Sequence, residues 1–296
     1  MLKKTLFFSN PYRLNFKLNQ LVAESRQDGE VRNIPIEDIG FVVIDHMQIS
    51  ISMPLLEALV NNNVAVVFSN SKHMPHSMLL NLDSHNSQTE IFRNQINASV
   101  PLKKNLWKQT IEFKIANQAR LLKLCDRQSL DLMKLSKDVK SGDIENREGT
   151  AARAYWPRLM GDGFIRDRFG DYPNNLLNYG YIILRAAVAR ALVGSGLLPT
   201  LGIHHRNKYN AYCLADDIME PYRPYVDRRV YEKCKTNQDV FILEKEHKAE
   251  LLKVLTDDVI IEKLRRPLMI ALSMTTASLA KCYAGEAKNI KYPEFK

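Results

Sequence analysis

The chain has little from which to build a cysteine-based metal site or a disulfide framework. Its four cysteines, Cys125, Cys213, Cys234 and Cys282, are widely scattered and form no CxxC or CxH pair. They read as reduced thiols, as expected in the cytoplasm. The opening MLKKTLFFSN carries charge but no apolar run long enough for a signal peptide or a membrane span, so the expectation is a cytoplasmic protein with no membrane partner. No internal repeat and no long low-complexity tract interrupts the sequence. Hydrophobic residues at 45% and charged residues at 25% are ordinary globular usage, which argues against disorder and against a fibrous architecture. At 296 residues, the default is two domains. The net charge of +9 and a pI near 9.3 would attract polyanions, nucleic acid first among them, although such a surplus can equally serve solubility.

From Lys3 to about Asn70, short β-type runs (TLFF, VRNIPI, FVVID, QISIS, VAVVF) alternate with Asn, Asp, Gly and Pro. Met53 to Val60 instead reads as a short helix with Pro54 in its first turn and Asn61 to Asn63 ending it. The stretch SNSKHMPHSMLLNLDSHNS is poor material for either element and suits a connector. Beyond Thr89 the period becomes helical, with Trp107, Ile111, Ile115, Ala119 and Leu122 spaced by four, four, four and three. Further helices are predicted near Arg147 to Met160, Asn174 to Val193, Tyr209 to Met219, Tyr222 to Lys235 and Asp258 to Tyr283, with a frayed tail from Gly285 to Lys296. The expected class is α+β: a small β-rich domain over 1–72, a linker over 73–88, and a larger all-α catalytic domain over 89–296.

Three segments carry candidate chemistry, and each has a plainer reading. Glu148 in NREGTAARAYW would share a helical face with Ala151 and Ala152, whose small side chains admit a close neighbour, yet a first-turn glutamate commonly serves only the helix dipole. In GIHHRNKYN, adjacent histidines on a regular helix point about 100° apart, so at most one faces an ion, with His205 favoured; the alternative is an exposed pair beside Arg206 and Lys208. In LADDIMEPYRP, Asp217 and Glu220 can share a face, whereas Asp216 and Asp217 are not both expected to point inward; such acidic clusters are often solvated surface. Carboxylates with one imidazole suit Mg²⁺ or Mn²⁺, which stabilise charge on a phosphodiester oxygen and orient an attacking hydroxyl. Glu148 and His205 lie 57 positions apart, so only the fold can bring them together.

The stretches NREGTAARAYW (146–156), NLLNYGYIIL (175–184), GIHHRNKYN (202–210) and LADDIMEPYRPYVD (214–227) resemble the CRISPR-associated integrase family (Cas-one), and most of all its type II branch. The similarity covers nearly the whole chain. It implies a catalytic metal site of Glu148, His205 and Glu220, where many other branches have aspartate at the third position, with Asp217 as a supporting or alternate ligand. The implied reaction is transesterification: the 3′-hydroxyl of a short DNA fragment attacks a phosphodiester at the edge of a CRISPR repeat, twice, on opposite strands. The implied partners are double-stranded DNA, a second copy of the chain through the β domain, and a small adaptation protein (Cas-two) in a heterohexamer. The resemblance leaves open whether further type II proteins join.

Arg206, Lys208, Arg153 and Arg223 are the foremost candidates for DNA phosphates, within a wider basic set of Lys103, Lys104, Lys108, Lys114, Arg147, Arg228 and Arg229. Tyr155, Tyr179 and Tyr181 either contact DNA or fill the core. Two other functions compete: a metal-dependent nuclease that hydrolyses branched or single-stranded DNA, and a noncatalytic DNA-binding scaffold.

Overall fold

The computed structural model describes residues 3–83, 85–236 and 243–295. The chain forms two compact units, 1–84 and 85–296.

The first unit is built on two four-stranded sheets. Its strands are β1 (Lys4–Phe8), β2 (Tyr12–Lys17), β3 (Gln20–Ser25), β4 (Val31–Pro35), β5 (Ile39–Ile44), β6 (Ser50–Ile51), β7 (Ala65–Ser69) and β8 (Pro75–Leu79), with helix α1 (Met53–Asn61) between β6 and β7. One sheet runs β1-β5-β7-β8, parallel except for β8, and the other runs β4-β3-β2-β6. Every residue of β5 (IGFVVI) is buried, as suits a central parallel strand. The core gathers Leu14, Leu21, Ile36, Ile39, Val42, Leu55, Leu59 and Val66 from both sheets and α1.

The structure corrects the connector placed over 73–88. Residues 75–79 form an edge strand that pairs antiparallel with β7, Val66 opposite Leu79 and Phe68 opposite Ser77. An edge position with Pro75 at its first residue tolerates the missing N–H. Ser84 of that segment lies outside the described residues.

The second unit contains helices α2 (Gln88–Ile96), α3 (Val100–Leu124), α4 (Leu130–Lys137), α5 (Arg147–Met160), α6 (Asn174–Gly194), α7 (Cys213–Met219), α8 (Arg223–Thr236) and α9 (Lys245–Leu252). A hairpin of β9 (Asp258–Ile261) and β10 (Leu264–Pro267) follows, then α10 (Leu268–Tyr283). A 3₁₀ turn, Glu220–Tyr222, joins α7 to α8 with helical dihedrals at both junctions. Helix α3 starts at Ser99, whose hydroxyl accepts the Leu102 N–H, and its stripe of Trp107, Ile111, Ile115, Ala119 and Leu122 is wholly buried. Helix α6 is long and apolar enough to cross a membrane, yet 78% of its most apolar window is buried within the protein, as in a core helix. Gly180 lets it approach α8: a Cβ there would lie 2.4 Å from Val226 Cγ1.

Two further expectations give way. The helix predicted from Asp258 begins at Leu268, because residues 258–267 form the hairpin, turning on Glu262 and Lys263 with φ of 50° and 65°. Two successive positive φ values are what a tight I′ turn demands. The tail expected to fray is packed: Ile290, Tyr292 and Phe295 are buried, and Phe295 stacks on Tyr225 at 4.0 Å. Side chains of α3 hold it, since Gln109 accepts the Ile290 N–H and the Asn117 amide donates to the Pro293 carbonyl. Lys296 lies outside the described residues.

Candidate metal centre

Glu148 stands in the first turn of α5, where a glutamate commonly serves the helix terminus. That work is done by others here. Asn146 Oδ1 accepts the Gly149 N–H at 3.0 Å, and the two Asp143 oxygens accept the N–H groups of Arg147 and Glu148 at 2.8 and 3.1 Å. The Glu148 carboxylate is left to reach α3, where its Oε1 lies 2.5 Å from the Lys114 ammonium.

Glu220 enters the same contact from the 3₁₀ turn. Its Oε2 is 2.5 Å from Lys114 Nζ and its Oε1 accepts from Arg223 Nε at 2.9 Å. The side chain is almost fully buried. Burial alone would raise its pKa, but Arg223 and Lys114 outweigh that and hold it below the usual carboxylate range. Burial likewise opposes charge on Lys114, and Glu220 and Glu148 overcome it, leaving its pKa raised. Glu220 Oε2 is buried and has no well-directed hydrogen bond, so its contact with Lys114 is one of charge.

His205 is placed by Asp217, which is completely buried. The Oδ2 of Asp217 accepts the N–H groups of Ile203 and His204 at 2.6 and 3.0 Å, and its Oδ1 accepts the His205 N–H at 3.2 Å. The same Oδ1 lies 2.6 Å from His205 Nδ1. This bond puts the proton on Nδ1 and turns the Nε2 lone pair away from Asp217, the arrangement used to orient metal-binding imidazoles. The Asp217 hydrogen bond raises the His205 pKa against the effect of burial, with help from the charges of Asp217 and Glu220. Gly202 is required by the turn, since a Cβ there would meet the His205 carbonyl oxygen at 2.3 Å. The neighbouring His204 stacks on Trp107 of α3 with ring centroids 4.2 Å apart. The two histidines therefore have separate duties.

Both Asp217 oxygens are engaged with the His205 loop and ring. Asp216 and Asp217 are both buried, contrary to expectation. Helix α7 is enclosed on every side, so Asp216 finds Arg185 of α6, with bonds of 2.6 and 2.9 Å, while Asp217 faces the loop. Among the described residues, no three His, Cys, Asp or Glu side chains already form a ready cage for an ion. The structure brings Glu148 and Glu220 together at Lys114, with His205 near enough to Glu220 to feel its charge.

The sequence places Lys114 only in the wider basic set for DNA phosphates, whereas the structure pairs it with Glu148 and Glu220. Its place in the sequence carried a signal: it sits three after Ile111 and beside Ile115, on the apolar face of α3, where a lysine needs a buried partner. Arg206, Lys208 and Arg153 are exposed, with Lys208 Nζ 4.9 Å from the Tyr209 ring centre. Arg223 is bound to Glu220 and packs on Tyr181 at 4.5 Å. Arg147, Arg228 and Arg229 are each engaged with acidic neighbours. Tyr155, Tyr179 and Tyr181 belong to the core. The hydroxyls of Tyr155 and Tyr181 both donate to Asp227, the former at 2.7 Å.

The family model described as "CRISPR associated protein Cas1" matches residues 6–264. The chain belongs to the Cas1 family. It is 34% identical over 297 residues to the CRISPR-associated endonuclease Cas1 of Neisseria meningitidis serogroup C, spanning 98% of this chain and 96% of that protein. A structure described as a casposase bound to integration product shares its fold, with a TM-score of 0.82, 21% identity and coverage of 100% of this chain and 95% of that one. So does a chain in a Cas6-RT-Cas1–Cas2 complex, with a TM-score of 0.74, 18% identity and coverage of 99% and 36%. Both likenesses bear on the fold alone.

Proposed function

We propose that this Cas1-family chain is a divalent-metal-dependent DNA endonuclease and integrase of CRISPR spacer acquisition, with Glu148, His205 and Glu220 holding the metal. The observation that carries this reading is the convergence of Glu148 and Glu220, 72 positions apart, on a single positive charge. The donor set fits the group: two carboxylates and one imidazole, with Glu220 Oε2 buried and lacking a directed hydrogen bond. When bound, Mg²⁺ or Mn²⁺ would supply charge stabilisation at the phosphodiester and lower the pKa of an attacking hydroxyl.

The chain's own residues do the rest. Asp217 fixes the ring of His205 and the loop that carries it, so the imidazole is oriented before substrate arrives. Arg223 keeps Glu220 ionised and in place. The exposed Arg206 and Lys208, one and three residues after His205, would bind the DNA backbone next to the reacting phosphate, with Arg153 on α5 contributing a further contact. The nucleophile is the 3′-hydroxyl of a short DNA fragment, and joining it to the repeat by transesterification needs positioning and charge stabilisation but no covalent protein intermediate.

A second copy of the chain, paired through the β-rich unit, and a Cas2 partner would set two such sites a fixed distance apart. Support for the partner comes from a Cas1–Cas2 complex that contains the same fold. The type II assignment rests on the resemblance carried by the stretches 146–156, 175–184, 202–210 and 214–227. The test is an assay with purified chain, the small partner, Mg²⁺ or Mn²⁺, a labelled fragment and a repeat-bearing plasmid. Joined strands are expected, and their loss in Glu148→Ala and in His205→Ala. Wild-type joining by either variant contradicts the proposed site, and shortened strands with no joined product would make the chain a hydrolytic nuclease.

A further inference from the structure

We propose that Lys114 is a positioning residue that clamps Glu148 to Glu220 and cedes their oxygens to the metal, so that its ammonium and the metal compete for one seat. The inference rests on Glu148 and Glu220 being metal ligands.

The geometry is specific. Lys114 Nζ lies 2.5 Å from Glu148 Oε1 and 2.5 Å from Glu220 Oε2, and its side chain is only 11% exposed. Its stem leaves the buried face of α3 between Ile111 and Ile115, so the head has little access to solvent or to a DNA phosphate. Lysine offers a compact point charge with three rotatable donors, which can sit between two carboxylates much as a small cation does. Glu148 arrives from α5 and Glu220 from the turn before α8, and this ammonium is the one group to which both are ion-paired among the described residues. Without it, two anions would face each other in a partly buried site, at a cost in like-charge repulsion.

The contact is also built to be exchanged. Glu220 Oε2 meets Lys114 as a charge contact with no well-directed hydrogen bond, whereas Glu220 Oε1 is held independently by Arg223 at 2.9 Å. Loss of the lysine contact therefore leaves Glu220 anchored with Oε2 available. Lys114 would stabilise the metal-free protein and lower its affinity for metal, two effects of opposite sign from one side chain.

The test uses the full chain without DNA, with Mn²⁺ titrated and the free ion read by electron paramagnetic resonance, on wild type, Lys114→Gln and Glu148→Gln. Lys114→Gln should unfold at lower urea in EDTA, yet bind Mn²⁺ at least about tenfold more tightly, the scale of one lost charge contact in a partly buried site. Equal or weaker binding by a folded Lys114→Gln overturns the proposal. Should that variant not fold, wild type decides alone. Acetylation of Lys114, followed by mass spectrometry, should be faster with Mn²⁺ than in EDTA, and an equal or slower rate refutes the exchange. If Glu148→Gln binds Mn²⁺ as well as wild type, the metal site itself is wrong and the clamp falls with it. If Mn²⁺ binding depends on Glu148 but not on Lys114, only the clamp fails.

Discussion

Glu220 and Asp227 are both acids, both almost wholly buried, and only seven residues apart along one helical run, yet their surroundings set them to different tasks. Glu220 lies between two cations, Lys114 and Arg223, and its pKa is lowered. Asp227 lies between two phenol hydroxyls, of Tyr155 and Tyr181, and burial pushes its pKa up to about 6 although those hydrogen bonds pull it down. Charge partners keep a buried acid anionic and able to trade one cation for another. Neutral donors pin its position and leave it close to protonation. Burial alone does not set the ionisation of an acid; the identity of the neighbours does.

The largest effect should come from exchanging charge for an isosteric amide at each position. Glu220→Gln should lower strand joining by about 100-fold or more, above the 10–100-fold typical of groups that merely support a ligand. Asp227→Asn should keep most of the activity per folded molecule. Comparable losses in both, measured under conditions where both variants are folded, would erase the contrast.

Stability should order the pair differently as pH changes. Because burial raises the Asp227 pKa from the usual carboxylate range to about 6, its protonated form favours the native state. That contribution is fully present below about pH 4 and is lost as pH rises through 6. The loss amounts to about 3 kcal/mol relative to an acid with no shift. Urea unfolding of wild type and Asp227→Asn at pH 4.5 and 7.5 should therefore show the variant escaping that part of the decline. Parallel pH profiles would place the raised pKa elsewhere.

Smaller effects sharpen the packing around Asp227. Gly180→Ala sets a Cβ 2.4 Å from Val226 Cγ1, next to Asp227, and should destabilise by about 1–3 kcal/mol in urea unfolding. Tyr181→Phe removes one hydrogen bond to the Asp227 carboxylate and should cost about 1.5–3 kcal/mol by the same measure, with little change in Mn²⁺ affinity. A marked fall in Mn²⁺ affinity in Tyr181→Phe would show that the two acids are coupled through Arg223, which packs on that ring.

What the sequence disclosed, and what it did not, follows the same line of local against distant causes. The runs of β5 and β7 were legible because a strand buried along most of its length is apolar, β1 because its half-buried run is apolar after Lys4 and Thr5, and α3 and α5 because their stripes or caps lie within a few residues. The pairs β2–β3 and β9–β10 were not, since their tight turns use Leu18-Asn19 and Glu262-Lys263 at positive φ, without the glycine that usually marks such a turn. The packed tail is held by Gln109 and Asn117, more than 170 positions away, and nothing near Gly285 announces them. At the site, Glu148, His205 and Glu220 are weak candidates one at a time, and it is their sequence contexts together that make them the proposed ligands. The roles of Lys114 and Asp217 depend on contacts across 34 and 12 positions, which no local pattern encodes.

Glu148, His205 and Glu220 are proposed to share one metal ion. Anomalous scattering from a crystal of the chain soaked in Mn²⁺ tests it directly. A single strong peak is expected within bonding distance of a Glu148 oxygen, His205 Nε2 and Glu220 Oε2, with Lys114 Nζ displaced from the carboxylates. A peak bound elsewhere, or no peak at this site under Mn²⁺ concentrations that support strand joining, would contradict it.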